Sequence, residues 1–148
     1  PLYFNDKERT SALTSICSLL NVVLPEGQPN KKIYNSFENL INSIKLDNWI
    51  ILYIFFELNL IKELGYDVNL NQYANIIDDV LEIKKIKIDG YIYDVPCYLI
   101  LKKTPNKISN NLIRKSLYFT RNIIQNKFFL PNNIPFPKSR VILENYFN

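Results

Sequence analysis

The 148-residue sequence contains no histidine and no methionine, and only three glycines, two cysteines and one tryptophan. Without imidazole, the most frequent general base and the commonest zinc ligand are both missing. Cys17 and Cys97 are too far apart for a metal-ligand spacing and too few for a disulfide framework, so each is expected in the core as a small hydrophobe. No apolar run approaches the roughly 20 residues a membrane-spanning helix needs. The longest, 49–56, stops at Glu57. No basic leader precedes an apolar segment, so no signal peptide is visible. With Pro at position 1 and no Met anywhere, the chain reads as a fragment or a processed product. No nucleophile–base pair and no phosphate-binding loop is present, which argues against an enzyme. Asp78, Asp79 and Glu82 form an acidic cluster that a hard cation would fit, although a solvated turn explains it more simply. Neither a metal nor a cofactor is expected.

Hydrophobic residues make up 47% and charged residues 22%, a composition that suits one globular domain. The net charge of +4 is unevenly placed. Residues 1–101 carry nine Lys and Arg against thirteen Asp and Glu, a net of −4. Residues 102–148 carry nine Lys and Arg against Glu144 alone, a net of +8. That imbalance points to an anionic partner for the last third of the chain, the alternative being a solvated basic surface.

Apolar spacing outlines the elements. Leu13, Ile16, Leu20 and Val23 predict a helix over 7–24, with Asp6 and Glu8 at its start and Pro25, Gly27 and Pro29 to end it. Ile33, Phe37, Leu40, Ile41 and Ile44 predict a second over 30–45. A third, 49–64, capped by Asp47 or Asn48, is apolar on nearly every side through its first two turns and so is expected at the centre, with Gly65 at its C-terminal stop. Ile83, Ile86 and Ile88, then Asp89-Gly90, then Tyr91-Ile92-Tyr93 read as a β-hairpin. Lys84, Lys85 and Lys87 would guard its open edge. Residues 97–101 fit either a short helix or an extended segment. Ser109 caps a long helix over 110–128, whose buried stripe is Leu112, Ile113, Leu117, Ile124 and Phe128. Pro131, Pro135 and Pro137 form a connector. Val141, Ile142 and Tyr146 then mark a last helix over 139–147. The expected fold is mainly α, about five helices with a small inserted hairpin, in one domain covering 1–148.

Three strings carry a resemblance: "LLNVVLPEGQPNKKIYNSFENLI", "FELNLIKELGYDVNL", and the pair "SLYFTRNIIQNKFF" and "PFPKSRVILENYF". In this order they resemble the C-terminal helical domain of the RecO family, bacterial mediators of DNA repair and recombination. The resemblance implies a non-enzymatic role in strand annealing and in loading the RecA recombinase. It implies as partners single- and double-stranded DNA, the C-terminal tail of the single-strand-binding protein, and RecR. It also implies a cytoplasmic, nucleoid-associated setting and no membrane. Family members begin with an OB-fold, and this chain starts about where that module would end, so the resemblance implies a C-terminal piece. Many members carry a four-cysteine zinc knuckle. Tyr73 stands where its first cysteine would be, so no zinc is expected.

One face of the predicted 110–128 helix suits such partners. Arg114, Tyr118 and Arg121 lie at helical spacing on one side, with Lys115 and Lys127 beside them and Lys138 and Arg140 beyond the connector. Arginine forks grip phosphate or carboxylate, and Tyr118 offers a ring for stacking. These seven residues are the candidate contacts for nucleic acid or for the acidic tail. The competing view is a helical scaffold that binds an acidic protein and has no role with DNA.

Overall fold

The fold is described from a computed structural model, which covers residues 6–24, 30–66 and 68–148. Helix α1 spans Lys7–Val23, α2 Lys31–Ser43 and α3 Trp49–Glu63. A 3₁₀ segment, Leu70–Ile76, leads to the strands β1 (Ile83–Ile88) and β2 (Tyr91–Pro96). A short helix α4 (Cys97–Leu101) follows directly, then α5 (Asn110–Ile124), a π-turn (Gln125–Phe129) and α6 (Lys138–Asn145). The mainly helical fold with one inserted hairpin is as the sequence implies. Residues 97–101 prove to be helical. Pro25, Gly27 and Pro29 lie outside the described residues.

The helix starts are set by side chains that satisfy free N–H groups. Asp6 accepts from the amides of Glu8 and Arg9 at 3.0 and 3.2 Å. Its slight burial opposes ionisation, but the amide and guanidinium of Arg9 outweigh that and hold the carboxyl below its ordinary range. Asn30 caps α2 through Ile33 N and Ser109 caps α5 through Leu112 N, both at 3.1 Å. Asn48 occupies the cap position of α3 without a side-chain hydrogen bond.

Helix α3 is the central element. It buries Trp49, Ile50, Tyr53, Ile54, Leu60 and Ile61 on several faces, and it packs against both α2 and α5. Gly65, at φ +91°, ends it. Tyr66 N donates to Ile61 O at 3.1 Å and Gly65 N to Lys62 O at 2.9 Å, the paired bonds of a Schellman stop.

The hairpin pairs Ile86 with Tyr93 and Ile88 with Tyr91. Asp89 and Gly90 both have positive φ, as a tight two-residue turn of this twist requires. Strand β2 lies on α5, which leaves β1 as the open edge carrying Lys85 and Lys87. Asp78, Asp79 and Glu82 lie in or beside an exposed turn, where Leu81 N donates to Asp79 Oδ1 at 3.0 Å. Among the described residues no cluster suited to a metal ion occurs.

Two expected stripes differ from the structure. The predicted 110–128 helix is α only to Ile124. From there the backbone widens, with Leu130 N bonding to Gln125 O at 2.9 Å. One extra residue in a turn rotates the side chains beyond it by about 100°. Phe129 is therefore buried, while Phe128 is only partly covered. Helix α6 is turned the other way from expectation. Val141, Ile142 and Tyr146 lie on the surface, with Ile142 51% exposed, and Arg140, Leu143 and Glu144 face inward. Cys97 is buried as expected, whereas Cys17 is on the surface of α1.

Candidate nucleic-acid interface

The inversion of α6 comes from a buried ion pair. Arg140 is fully enclosed, 0% exposed, as is Glu57 of α3. Arg140 Nε donates to Glu57 Oε2 at 2.6 Å and Nη2 donates to Oε1 at 2.9 Å, a two-pronged contact. Nη2 also reaches Leu117 O at 2.9 Å, and Nη1 reaches Glu144 Oε1 at 3.1 Å. Burial works against the guanidinium charge, but Glu57, with smaller contributions from Tyr53 and Glu144, outweighs it and raises the Arg140 pKa. Glu57 accepts two further bonds, from Tyr53 Oη at 2.7 Å and Thr120 Oγ1 at 2.6 Å. Burial, then the charge of Glu57, pushes the Tyr53 phenol well above its ordinary value, so it stays protonated. Tyr53 Oη also meets Ser15 Oγ of α1 at 2.7 Å. One cluster thus joins α1, α3, α5 and α6, and among the described residues no buried side-chain polar atom lacks a partner.

Arg140 is therefore not available to an external anion. Its charge belongs to the core, and it leaves the set of seven candidate contacts. Arg121 is largely committed as well. Its Nε donates to Glu144 Oε1 at 2.6 Å, and its guanidinium lies 4.4 Å from the centre of the Tyr118 ring. Lys127 forms an ion pair with Asp89 at the hairpin turn. Lys138 is exposed at the start of α6.

The remaining three, Arg114, Lys115 and Tyr118, meet at one cleft. It lies between α5 and the hairpin and has a volume of about 370 Å³. Ile92, Tyr93 and Phe119 give it apolar surface, while Lys85, Asp94 and Asn122 supply polar groups. Lys85 and Asp94 are paired across the strands at 3.0 Å. Tyr118 is 52% exposed. Arg114 is held by Asn111 Oδ1 at 2.7 Å. The ammonium of Lys115 makes no ion pair among the described residues. Lys85, Asp94 and Asn122 were not singled out by sequence reasoning as part of this site. The lysine cluster of β1 is a weak signal for it, because edge protection explains those lysines more simply.

A second groove, of about 480 Å³, runs beside α3. Phe55, Leu58, Tyr66 and Leu99 give it an apolar lining, and the exposed Lys62 and Lys102 stand at it.

Residues 5–97 match the family model described as Recombination protein O C terminal. That is well over half of the chain. The chain belongs to this family. Curated relatives carry the name DNA repair protein RecO. The protein of Ehrlichia chaffeensis is 38% identical over 74 residues, which cover 49% of this chain and 30% of the relative. That of Cereibacter sphaeroides is 30% identical over 71 residues, 48% of this chain and 30% of the relative. That of Anaplasma marginale is 30% identical over 84 residues, 55% of this chain and 35% of the relative. The chain thus matches about a third of the length of these RecO proteins. No solved structure matches it. Glu57 falls inside the segment matched to the RecO family, whereas Arg140, α5 and α6 lie beyond it. Among the described residues no helix is long and apolar enough to cross a membrane.

Proposed function

We propose that this domain works in bacterial DNA repair and recombination as a binding module without catalysis of its own, and that its α5–hairpin cleft holds the phosphate backbone of DNA. The observation that carries this reading is the convergence of Arg114 and Lys115 beside an exposed tyrosine, in a chain of the RecO family. Cationic groups release counterions when they take up phosphates, so the affinity depends on salt. The test is fluorescence anisotropy with labelled single- and double-stranded DNA over a salt series. Arg114→Glu with Lys115→Glu should weaken binding tenfold or more at low salt. It should also flatten the logarithmic salt slope by about one unit or more. A folded double variant with unchanged affinity and slope would refute the site.

The α3 groove favours a second contact within the same role. Its apolar walls with Lys62 and Lys102 beside them suit a peptide that ends in an apolar side chain and carries acidic groups. This is the chemistry of the single-strand-binding protein tail named by the resemblance. Annealing, RecA loading and contact with RecR belong to the same reading, in a cytoplasmic setting near the nucleoid. Lys62→Glu with Lys102→Glu should weaken a tail peptide and leave DNA binding unchanged. The reverse pattern would exchange the two assignments.

A further inference from the structure

The cleft between α5 and the hairpin has more than charge. Phosphate binding alone needs only exposed cations, yet here the cations border a recess with an aromatic ring in its wall. Its volume of about 370 Å³ falls in the range of pockets that enclose a small molecule. Tyr118 is half exposed, and the Arg121 guanidinium covers only one face of its ring. Arg121 is itself held by Glu144, so the ring rests on a fixed support. The side-chain amide of Asn122, which lines the cleft, has no hydrogen-bond partner among the described residues. It offers both a donor and an acceptor to a flat polar edge.

We infer that this cleft seats one unstacked nucleotide of a single DNA strand, its base against Tyr118 and Asn122 and its phosphate on Arg114 and Lys115. The inference rests on the reading of this face as a DNA contact and adds a selectivity to it. In a duplex the bases are stacked and paired, so a base can enter only after it is drawn out of the helix at a cost of a few kcal/mol. A single strand presents its bases freely, and stacking on an aromatic ring tolerates any of them. The phosphate contacts are common to both forms. The cleft therefore favours single strands through Tyr118, while Arg114 and Lys115 serve either form. The one acidic side chain present, Asp94, is paired with Lys85 and leaves the phosphate side cationic.

The experiment uses the 148-residue chain with three labelled probes of equal length, about 15 nucleotides. They are oligothymidylate, an abasic strand with the same phosphates, and a duplex. The parent should bind oligothymidylate about tenfold more tightly than the abasic strand, the margin expected from one stacked base. Tyr118→Ala should remove that margin and leave abasic and duplex binding unchanged, and Tyr118→Phe should retain it. Asn122→Ala should cut the same margin by a smaller factor, a readout independent of Tyr118. Equal losses on oligothymidylate and the abasic strand in Tyr118→Ala would overturn the base seat and leave the phosphate site standing. A parent chain that binds none of the three probes at low salt would overturn the DNA reading as well.

Discussion

Replacing Arg140 with methionine keeps most of the side-chain volume and removes the charge. The change deletes both prongs to Glu57, the bond to Leu117 O and the bond to Glu144. Glu57 then remains fully enclosed with only Tyr53 and Thr120 as donors. Removing one partner of a buried pair costs about 3–5 kcal/mol, chiefly because the other charge is left unpaired. At this chain length each kcal/mol moves the melting midpoint by about 2–4 °C, so a fall of roughly 10 °C is expected. Urea unfolding followed by the fluorescence of Trp49, the only tryptophan and buried on α3, gives the stability directly. The decisive comparison is Glu57→Leu with Arg140→Met. With both charges gone no buried ion is orphaned, and the double variant should recover most of what the single variant lost. A single variant within about 1 kcal/mol of the parent, or a double variant no more stable than the single, would show that the pair does not organise the core.

Gly65→Val places a β-branched side chain at φ +91°, where its Cβ meets open space but the backbone is strained. A loss of roughly 1 kcal/mol or more is expected in the same urea assay, and an unchanged midpoint would contradict the Schellman stop. A thiol-specific reagent at neutral pH should modify Cys17 quickly and Cys97 only after denaturant is added, as counted by absorbance. Burial and then the charge of Glu82 raise the Cys97 thiol from 9.0 to about 11, so folding favours its neutral form. Its contribution to stability is intact below pH 9 and is lost as pH rises through about 11, and Cys97→Val should remove that part of the alkaline decline.

Periodicity located α1, α2, α3 and α5 because each carries an apolar stripe that a helical repeat reveals, and Asp89-Gly90 located the hairpin turn. The π-turn after Ile124 escaped because its signal is a backbone hydrogen-bond shift with no residue type of its own. Helix α6 was found, but its orientation was read backwards. Apolar Val141, Ile142 and Tyr146 looked like the inner face, while the inner face in fact holds Arg140 and Glu144. An arginine in a basic segment is ordinarily exposed, and only the position of Glu57, 83 residues away, marks it as buried. For the same reason the +8 of residues 102–148 overstated the free charge: Arg121, Lys127 and Arg140 are each matched to a carboxylate. Within the cleft, Arg114, Lys115 and Tyr118 were legible from helical spacing. Lys85, Asp94 and Asn122 were not foreseen there, because Lys85 and Asp94 reach the site through the packing of β2 on α5.

The Glu57–Arg140 contact also sets an order of events during synthesis. Glu57 leaves the ribosome long before its counter-charge, and every helix from α1 to α5 can be made while the carboxylate still lacks its partner. A nascent chain in that condition must keep Glu57 in contact with water, so its central helix cannot yet close over a dry core. Only when Arg140 emerges does sealing the interior become favourable. Synthesis terminated just before Arg140 would release a loosely packed, protease-sensitive product, although that product holds nearly all of the chain's apolar residues.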